Sequence, residues 1–580
     1  MINSFLLFQV ISLILCLDAL NKLKISLNLT LFWVYEEDFK YSGDYRIKFR
    51  LCSHQDQTGL LLGFSPNDNP VHANFYYLSE NDSVEEFYLD HNLELRGFDD
   101  ILEVIRLTRE QFDSYKSCYT FVRNALSCRI PFGVNIMDDT TRVFGKVIND
   151  ENDLENITDS LQMSRTQIIR QKPDPEITQR GHLNFSRFNL TLDGVTVPKV
   201  PTTLWCKTFT FPNFSSDIFI REFIPIVTNP DIIHHIELFL CSPDEDGILR
   251  VEDYNAPCNM EAKPKEIKSC RSAIALWSAG AAGFKFPQNA GIKIPREDKY
   301  RHAVMEIHFN NPELIEGRRD FSGFTIETIT GDDIHEIGIM ELGTSYDPNS
   351  SLPPGMTNFK LTGMCHSKCT KLFTEPIHVF AYQYHAHYHG SAIESVIMHE
   401  NNTIREILSR DMQFSPYLPE IRNFYPAVTI HPGESILTRC IYDTSNENQT
   451  IFQGFSDTNE MCINFLFYYP KQDIEVCKTQ VSREALNDFF KREFNIKGSN
   501  IYDMYNKMKW NQKSGHAFGV FLENTFHEVT CNTSSGQRHE KSPIIEPIIQ
   551  FPTYPDPTLT NRDKKCIRTL DNYKEQISEG

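Results

Sequence analysis

Cysteine is the residue that most limits how this chain can fold. There are fifteen in 580 residues, and the first, Cys16, lies in a mostly apolar run from Phe5 to Leu17 followed by Asp18-Ala19-Leu20. Such a run has the character of a secretory leader cleaved near Ala19, although no Lys or Arg precedes it. Its removal leaves fourteen cysteines, an even number that suits a fully oxidised, exported protein. Ten Asn-x-Ser/Thr sequons, among them Asn28, Asn349 and Asn532, point the same way. No later run reaches the roughly 20 apolar residues that span a bilayer. The polar C-terminus from Asn572 to Gly580 carries no lipid-anchor signal. The expected location is the secretory lumen or the exterior, with no transmembrane segment. A formal charge of -20 argues against a nucleic-acid partner.

Between the cysteines the pattern is that of an all-β, disulfide-rich protein. After the leader, 1–19, residues 24–165 form a first domain with strand-like runs at 27–34, 45–52, 60–65 and 117–122. A linker is expected at 166–194, where Gln171-Lys172-Pro173-Asp174-Pro175 breaks any regular element. Two further β-rich domains are expected at 195–325 and 326–535, then a Pro-rich tail at 536–580. The clearest helical patch is 483–494, where Leu486, Phe490 and Phe494 recur every four residues. Cys52 and Cys118 are candidate partners, but spacing alone does not fix connectivity.

Chemistry enters with the histidines. In Phe380-Ala381-Tyr382-Gln383-Tyr384-His385-Ala386-His387-Tyr388-His389-Gly390 the aromatic approach suggests a strand, on which His385 and His387 point the same way. His389 has the same parity but abuts Gly390, where the strand is expected to end. His234-His235 lie in another largely apolar run, His308 closes Ala303–Ile307, and Met461 lies in Glu460-Met461-Cys462. A buried imidazole needs a metal or a hydrogen-bond partner. The ligands divide three and three: His234, His235 and His308 in one domain, His385, His387 and Met461 in the next. Imidazoles with a thioether favour copper, since sulfur helps hold Cu(I) and Met is not a normal zinc ligand. Haem is disfavoured by the lack of a CxxCH attachment signal. Adjacent His234 and His235 face opposite sides of an ideal strand. Both reach one ion only if the backbone bulges there.

These blocks carry a family resemblance. Ile233-His234-His235-Ile236-Glu237-Leu238-Phe239-Leu240-Cys241 resembles HHMEVFxC, and Cys270 to Ala281 resembles CRxxLAAWALGA. Glu306-Ile307-His308-Phe309-Asn310-Asn311-Pro312 resembles EVHYHNP, and Gly338 to Gly343 reads GIMELG. His385-Ala386-His387 stands for HTH, and Glu460 to Asn464 for EMCVN. The chain thus resembles the copper type II, ascorbate-dependent monooxygenases, in their dopamine beta-monooxygenase-like or monooxygenase-X-like branch. Residues 24–165 more loosely resemble the DOMON domain of that branch.

The resemblance implies two β-sandwich copper domains behind a DOMON-like sandwich, with two copper ions per subunit. His234, His235 and His308 would hold the electron-storing copper, and His385, His387 and Met461 the oxygen-activating one. Ascorbate would supply electrons, O2 would be consumed, and the β carbon of a phenylethylamine-like amine is the candidate site of hydroxylation. His385 and Glu341 are the candidate catalytic residues, Glu341 by facing a substrate ammonium. Its alternative reading is a structural carboxylate. No cofactor-binding residues beyond the metal ligands are assigned. Relatives oligomerise, so a homo-oligomer is compatible. The implied disulfides are Cys206–Cys258, Cys241–Cys270, Cys365–Cys477, Cys369–Cys531, Cys440–Cys462 and Cys128–Cys566, which leaves Cys52–Cys118.

Three positions depart from the family. Leu204 stands where a TTYWC block has tyrosine and has no phenol to donate. Phe465 replaces another tyrosine. His366 is extra between Cys365 and Cys369, read as a surface residue. A copper-binding or adhesion protein without turnover is the competing expectation. The first domain has no clear Trp from His72 to Ser79, so a ligand or metal site there has no support in the sequence.

Overall fold

The computed structural model describes residues 21–167, 183–533 and 545–547, apart from short breaks within the first two ranges. Cys128 and Cys566 lie outside the described residues. Two compact units divide between residues 173 and 174.

The first unit pairs two antiparallel sheets. One has strands in the order Asn21–Lys24, Leu29–Glu37, Tyr45–Ser53, Tyr115–Asn124, Val104–Phe112. The other runs Gln162–Gln167, Thr140–Ile148, Gly59–Ser65, Asn74–Ser79, Val84–Leu89, Leu95–Gly97. Leu31, Phe49, Leu51 and Phe121 meet Leu60, Leu62, Phe64 and Tyr76 in a shared core. The Gly59–Ser65 strand is buried at every position, because Leu61 on its other face joins Phe75 and Phe144 in a second cluster. That explains its unbroken apolar run: a strand covered on both sides gains nothing from alternation. Arg123, fully buried, ties the sheets by donating to Tyr76 Oη at 2.6 Å and to the Val134 carbonyl at 2.9 Å.

The second unit holds two such pairs. In the first, a sheet containing Asn184–Thr191, Gly323–Thr330, Ile218–Ile226 and Ala290–Ile294 packs on one ordered Asn255–Pro257, Thr202–Thr210, His302–Asn310, Ile233–Cys241, Cys270–Ser278. Ile220, Phe223 and Ile326 meet Ile236, Leu238, Met305 and Ile307 between them. This core continues into Phe380, Ala381 and Phe467 of the following sheet. In the second pair a seven-stranded sheet includes Arg422–Ile430, Ile377–His385, Ile463–Tyr469, Gly338–Thr344 and Ile474–Val481 in that order. It faces a four-stranded sheet of Phe359–Cys365, Ser435–Tyr442, Gly390–Met398 and Ile404–Asp411.

Several details differ from the sequence expectation. Asn184–Thr191 lies in the expected linker, yet pairs along its whole length with Gly323–Thr330 as an exposed edge strand. Ile545–Pro547, in the expected tail, pairs with Phe526–Thr533. Helix Arg483–Phe494 forms where the fourfold spacing placed it, but Ile501–Lys507 and Gln512–Asn524 add to it. The fold is therefore not purely β. The last helix is hard to see because Gly515 weakens it. A Cβ there would lie 2.3 Å from Met356 Sδ, so a larger residue would require that side chain to shift.

Six disulfides occur among the described residues: Cys52–Cys118, Cys206–Cys258, Cys241–Cys270, Cys365–Cys477, Cys369–Cys531 and Cys440–Cys462. Each matches its expected pairing. His366 is buried rather than on the surface. Its Nδ1 accepts from the Lys368 N–H at 3.1 Å, and burial pushes its pKa down to about 4.

Candidate metal centres

His235 and His308 are directly opposed on neighbouring antiparallel strands. The pairing register slips between Ile233 and His235, which is the bulge the adjacent histidines require. His234 can thereby turn to the same side. One ligand nitrogen from each of His234, His235 and His308 lies within 4.8 Å of the others. The Nδ1 atoms of His234 and His235 are 3.1 Å apart. Two nitrogens bound to one ion at about 2.0–2.1 Å are separated by roughly 3–3.5 Å, so this spacing fits a shared metal. Thr202 Oγ1 shares a 2.7 Å hydrogen bond with His308 Nε2, a contact that orients the ring. Surrounding protein, then the charges of His308, His234 and His385, hold His235 well below the usual imidazole range. It stays neutral, as a ligand must.

His385 ends its strand and His387 follows two residues later, their ring centroids 5.1 Å apart and their planes at 90°. His387 Nδ1 donates to the Asn459 carbonyl at 2.9 Å. That fixes the tautomer and leaves the Nε2 lone pair free for a ligand bond. Met461 is buried and lies two residues before Ile463, the cross-strand partner of His385. Tyr442 Oη anchors it by donating to its carbonyl at 2.6 Å. His389 does not join the set. Its Nδ1 is bound to Glu460 at 2.9 Å and its Nε2 to Glu447 at 3.2 Å, and these bonds, Glu460 first, raise its pKa.

Burial first, and then the His387 and Lys478 charges, push His385 down to about 3. An unfolded histidine titrates near ~6.5, so this depressed group favours the fold fully above about pH 6.5 and loses that contribution as pH falls toward about 3. Metal-free protein is expected to lose stability over that window. The His385 ring resonance should not titrate between about pH 7 and 5 in NMR spectra; a midpoint near ~6.5 contradicts the burial argument.

Glu341, Phe465 and Gln383 form one row across the sheet, and His385, Ile463, Gly343 and Lys478 form another two residues along, on the same face. Gly343 has φ +127°, and a Cβ there would lie 2.0 Å from the Cys462 carbonyl oxygen. Only glycine fits. Glu341 forms an ion pair with Lys478, whose Nζ also lies 3.6 Å from the Tyr346 ring centroid. Leu204, in place of the family tyrosine, is directly opposite His308.

Thr202, Asn459, Glu460 and Lys478 were not singled out from sequence. The only local signal was Glu460 next to Met461. Cys206, Cys258 and Glu306 also cluster, but the two sulfurs form a disulfide and offer no thiolate.

Known families match the segments that carry both clusters. Residues 188–316 match the copper type II ascorbate-dependent monooxygenase N-terminal domain, and residues 335–490 the corresponding C-terminal domain. Human dopamine beta-hydroxylase is 31% identical over 442 residues, covering 72% of this chain and 70% of its own. Tyramine beta-hydroxylase of Caenorhabditis briggsae is 34% identical over 352 residues, 59% of each chain. Mouse DBH-like monooxygenase protein 1 is 25% identical over 517 residues, 83% of this chain and 79% of that protein. The three-imidazole cluster falls inside the first matched domain and His385, His387 and Met461 inside the second. This chain belongs to the copper type II, ascorbate-dependent monooxygenase family.

Proposed function

We propose that the chain uses ascorbate and O2 to hydroxylate an activated C–H bond of a small molecule, in the secretory lumen or outside the cell. The observation that carries this reading is the convergence of three imidazoles on one point, with a second imidazole pair and a buried methionine in the same unit. His234, His235 and His308 would hold one copper, and His385, His387 and Met461 the other. Copper supplies one-electron chemistry on O2 that side chains cannot perform. His387 presents Nε2 because Asn459 takes Nδ1, and Met461 adds the soft donor that favours Cu(I). The N-terminal unit is read as DOMON-like, ahead of copper domains at 195–325 and 326–535.

The candidate substrate is a phenylethylamine-like amine, in keeping with the names of the dopamine and tyramine hydroxylases it resembles. Glu341 would meet the ammonium, sharing its carboxylate with Lys478. Loss of a charge-assisted hydrogen bond costs about 1.5–3 kcal/mol, so Glu341→Gln should raise KM for an amine roughly 10–100-fold. The same change beside Lys478→Met separates that effect from an unpaired lysine. An unchanged KM removes Glu341 from the substrate site.

Leu204 beside His308 favours a second reading, a copper-binding scaffold without turnover. Copper-loaded protein supplied with ascorbate and screened against tyramine, dopamine and related amines decides between them. Amine-dependent O2 uptake with a hydroxylated product is expected; bound copper without it supports the scaffold.

A further inference from the structure

Glu460 is a fully buried carboxylate that the reaction outlined above does not use. Four N–H donors converge on it. Oε2 accepts from the backbone N–H of His387 at 2.9 Å and of Met461 at 3.3 Å. Oε1 accepts from the backbone N–H of His389 at 2.7 Å and from His389 Nδ1 at 2.9 Å. The neighbouring Asn459 carbonyl takes the His387 ring. One side chain therefore grips two segments 73 residues apart in sequence, one bearing the imidazole pair and the other the methionine.

A carboxylate in a dry interior is costly unless its charge is matched by donors. What the charge adds is direction. Its acceptor sites fix the backbone of His387, His389 and Met461 relative to one another. His389 closes the arrangement, since its second nitrogen reaches out to Glu447.

We propose that Glu460, braced by His389, is a positioning residue that preassembles the His385–His387–Met461 site by holding its two halves at a fixed separation. This rests on the reading of that site as a copper centre. Glutamine in place of Glu460 keeps the shape but turns an NH2 group toward N–H donors, so two of the four bonds are replaced by a donor–donor contact. Alanine in place of His389 removes one donor and the link to Glu447.

Residues that orient metal ligands typically change metal affinity by about 10–100-fold when lost. The test is a Cu(I) titration of the full chain against a chromophoric chelator, with X-ray absorption at the copper edge and a melting curve for each protein. Glu460→Gln should weaken the second copper by about 10–100-fold and reduce the sulfur signal, and His389→Ala should weaken it by about tenfold, while the first copper is held as in the unaltered protein. If Glu460→Gln does not fold, His389→Ala decides. An unaltered protein with one copper and no sulfur signal removes the site reading itself, and the clamp with it. Two coppers in the unaltered protein, with both variants keeping its affinity and sulfur signal, overturn the clamp alone. Equal weakening at both coppers also overturns it, because that is general loosening of the fold.

Discussion

Met461→Leu is expected to abolish amine hydroxylation while leaving the fold in place. Leucine and methionine fill similar volumes, and such swaps in a core cost less than about 1.5 kcal/mol. Met461 is buried and its backbone is held by Tyr442 and Glu460, neither of which contacts the changed atoms in doing so. Only the thioether is lost. Turnover should fall at least about 100-fold, the upper end of what even an outer-shell loss costs a metal site. Met461→His is the complementary change. It restores a donor of a harder kind, which should keep metal bound but favour Cu(II) and impair oxygen activation. Oxygen uptake with ascorbate and amine checks both. Full activity in either variant contradicts the role given to this residue.

The largest expected effect on stability lies beneath the strand that carries His385. Arg422 and Tyr382 are cross-strand partners, and Arg422 pairs with Asp411 at 2.7 Å with side-chain exposures of 4% and 0%. Asp411 also accepts from the Gln413 N–H at 3.0 Å, anchoring the turn after its own strand. Removing one partner of a buried pair strands the other charge and typically costs about 3–5 kcal/mol. Asp411→Ala should therefore lower the melting transition by roughly 6–20 °C. Replacing both partners, Asp411→Leu with Arg422→Met, should recover much of the loss, since no charge then remains unmatched. A single variant that melts within about 1 °C of the unaltered protein contradicts this reading of the pair.

What was legible in the sequence was whatever the chain states locally. The His234-His235 doublet forces a bulge if both rings serve one ion, and the register slips there. Leu486, Phe490 and Phe494 announce their helix by spacing. Five of the six described disulfides repeat pairings implied by the family pattern, and the sixth, Cys52–Cys118, is the pair that those pairings left over.

What was not legible depends on distant contacts. Asn184–Thr191 is a strand only because Gly323–Thr330 lies beside it. The Glu341–Lys478 pair joins residues 137 positions apart, and Glu460 meets His389 across 71. No window of sequence holds both ends of such an interaction. His389 shows the same limit from the other side. Its parity allowed it as a ligand, but two carboxylates brought in by the fold occupy both of its nitrogens.

One measurement bears most directly on the central claim. The purified chain is loaded with copper, its metal content determined per polypeptide, and the ascorbate-reduced sample examined by X-ray absorption at the copper edge. Two copper ions per chain, with a sulfur scatterer at one and imidazole nitrogens at both, is the predicted result. A single copper per chain, or two without sulfur, would contradict it.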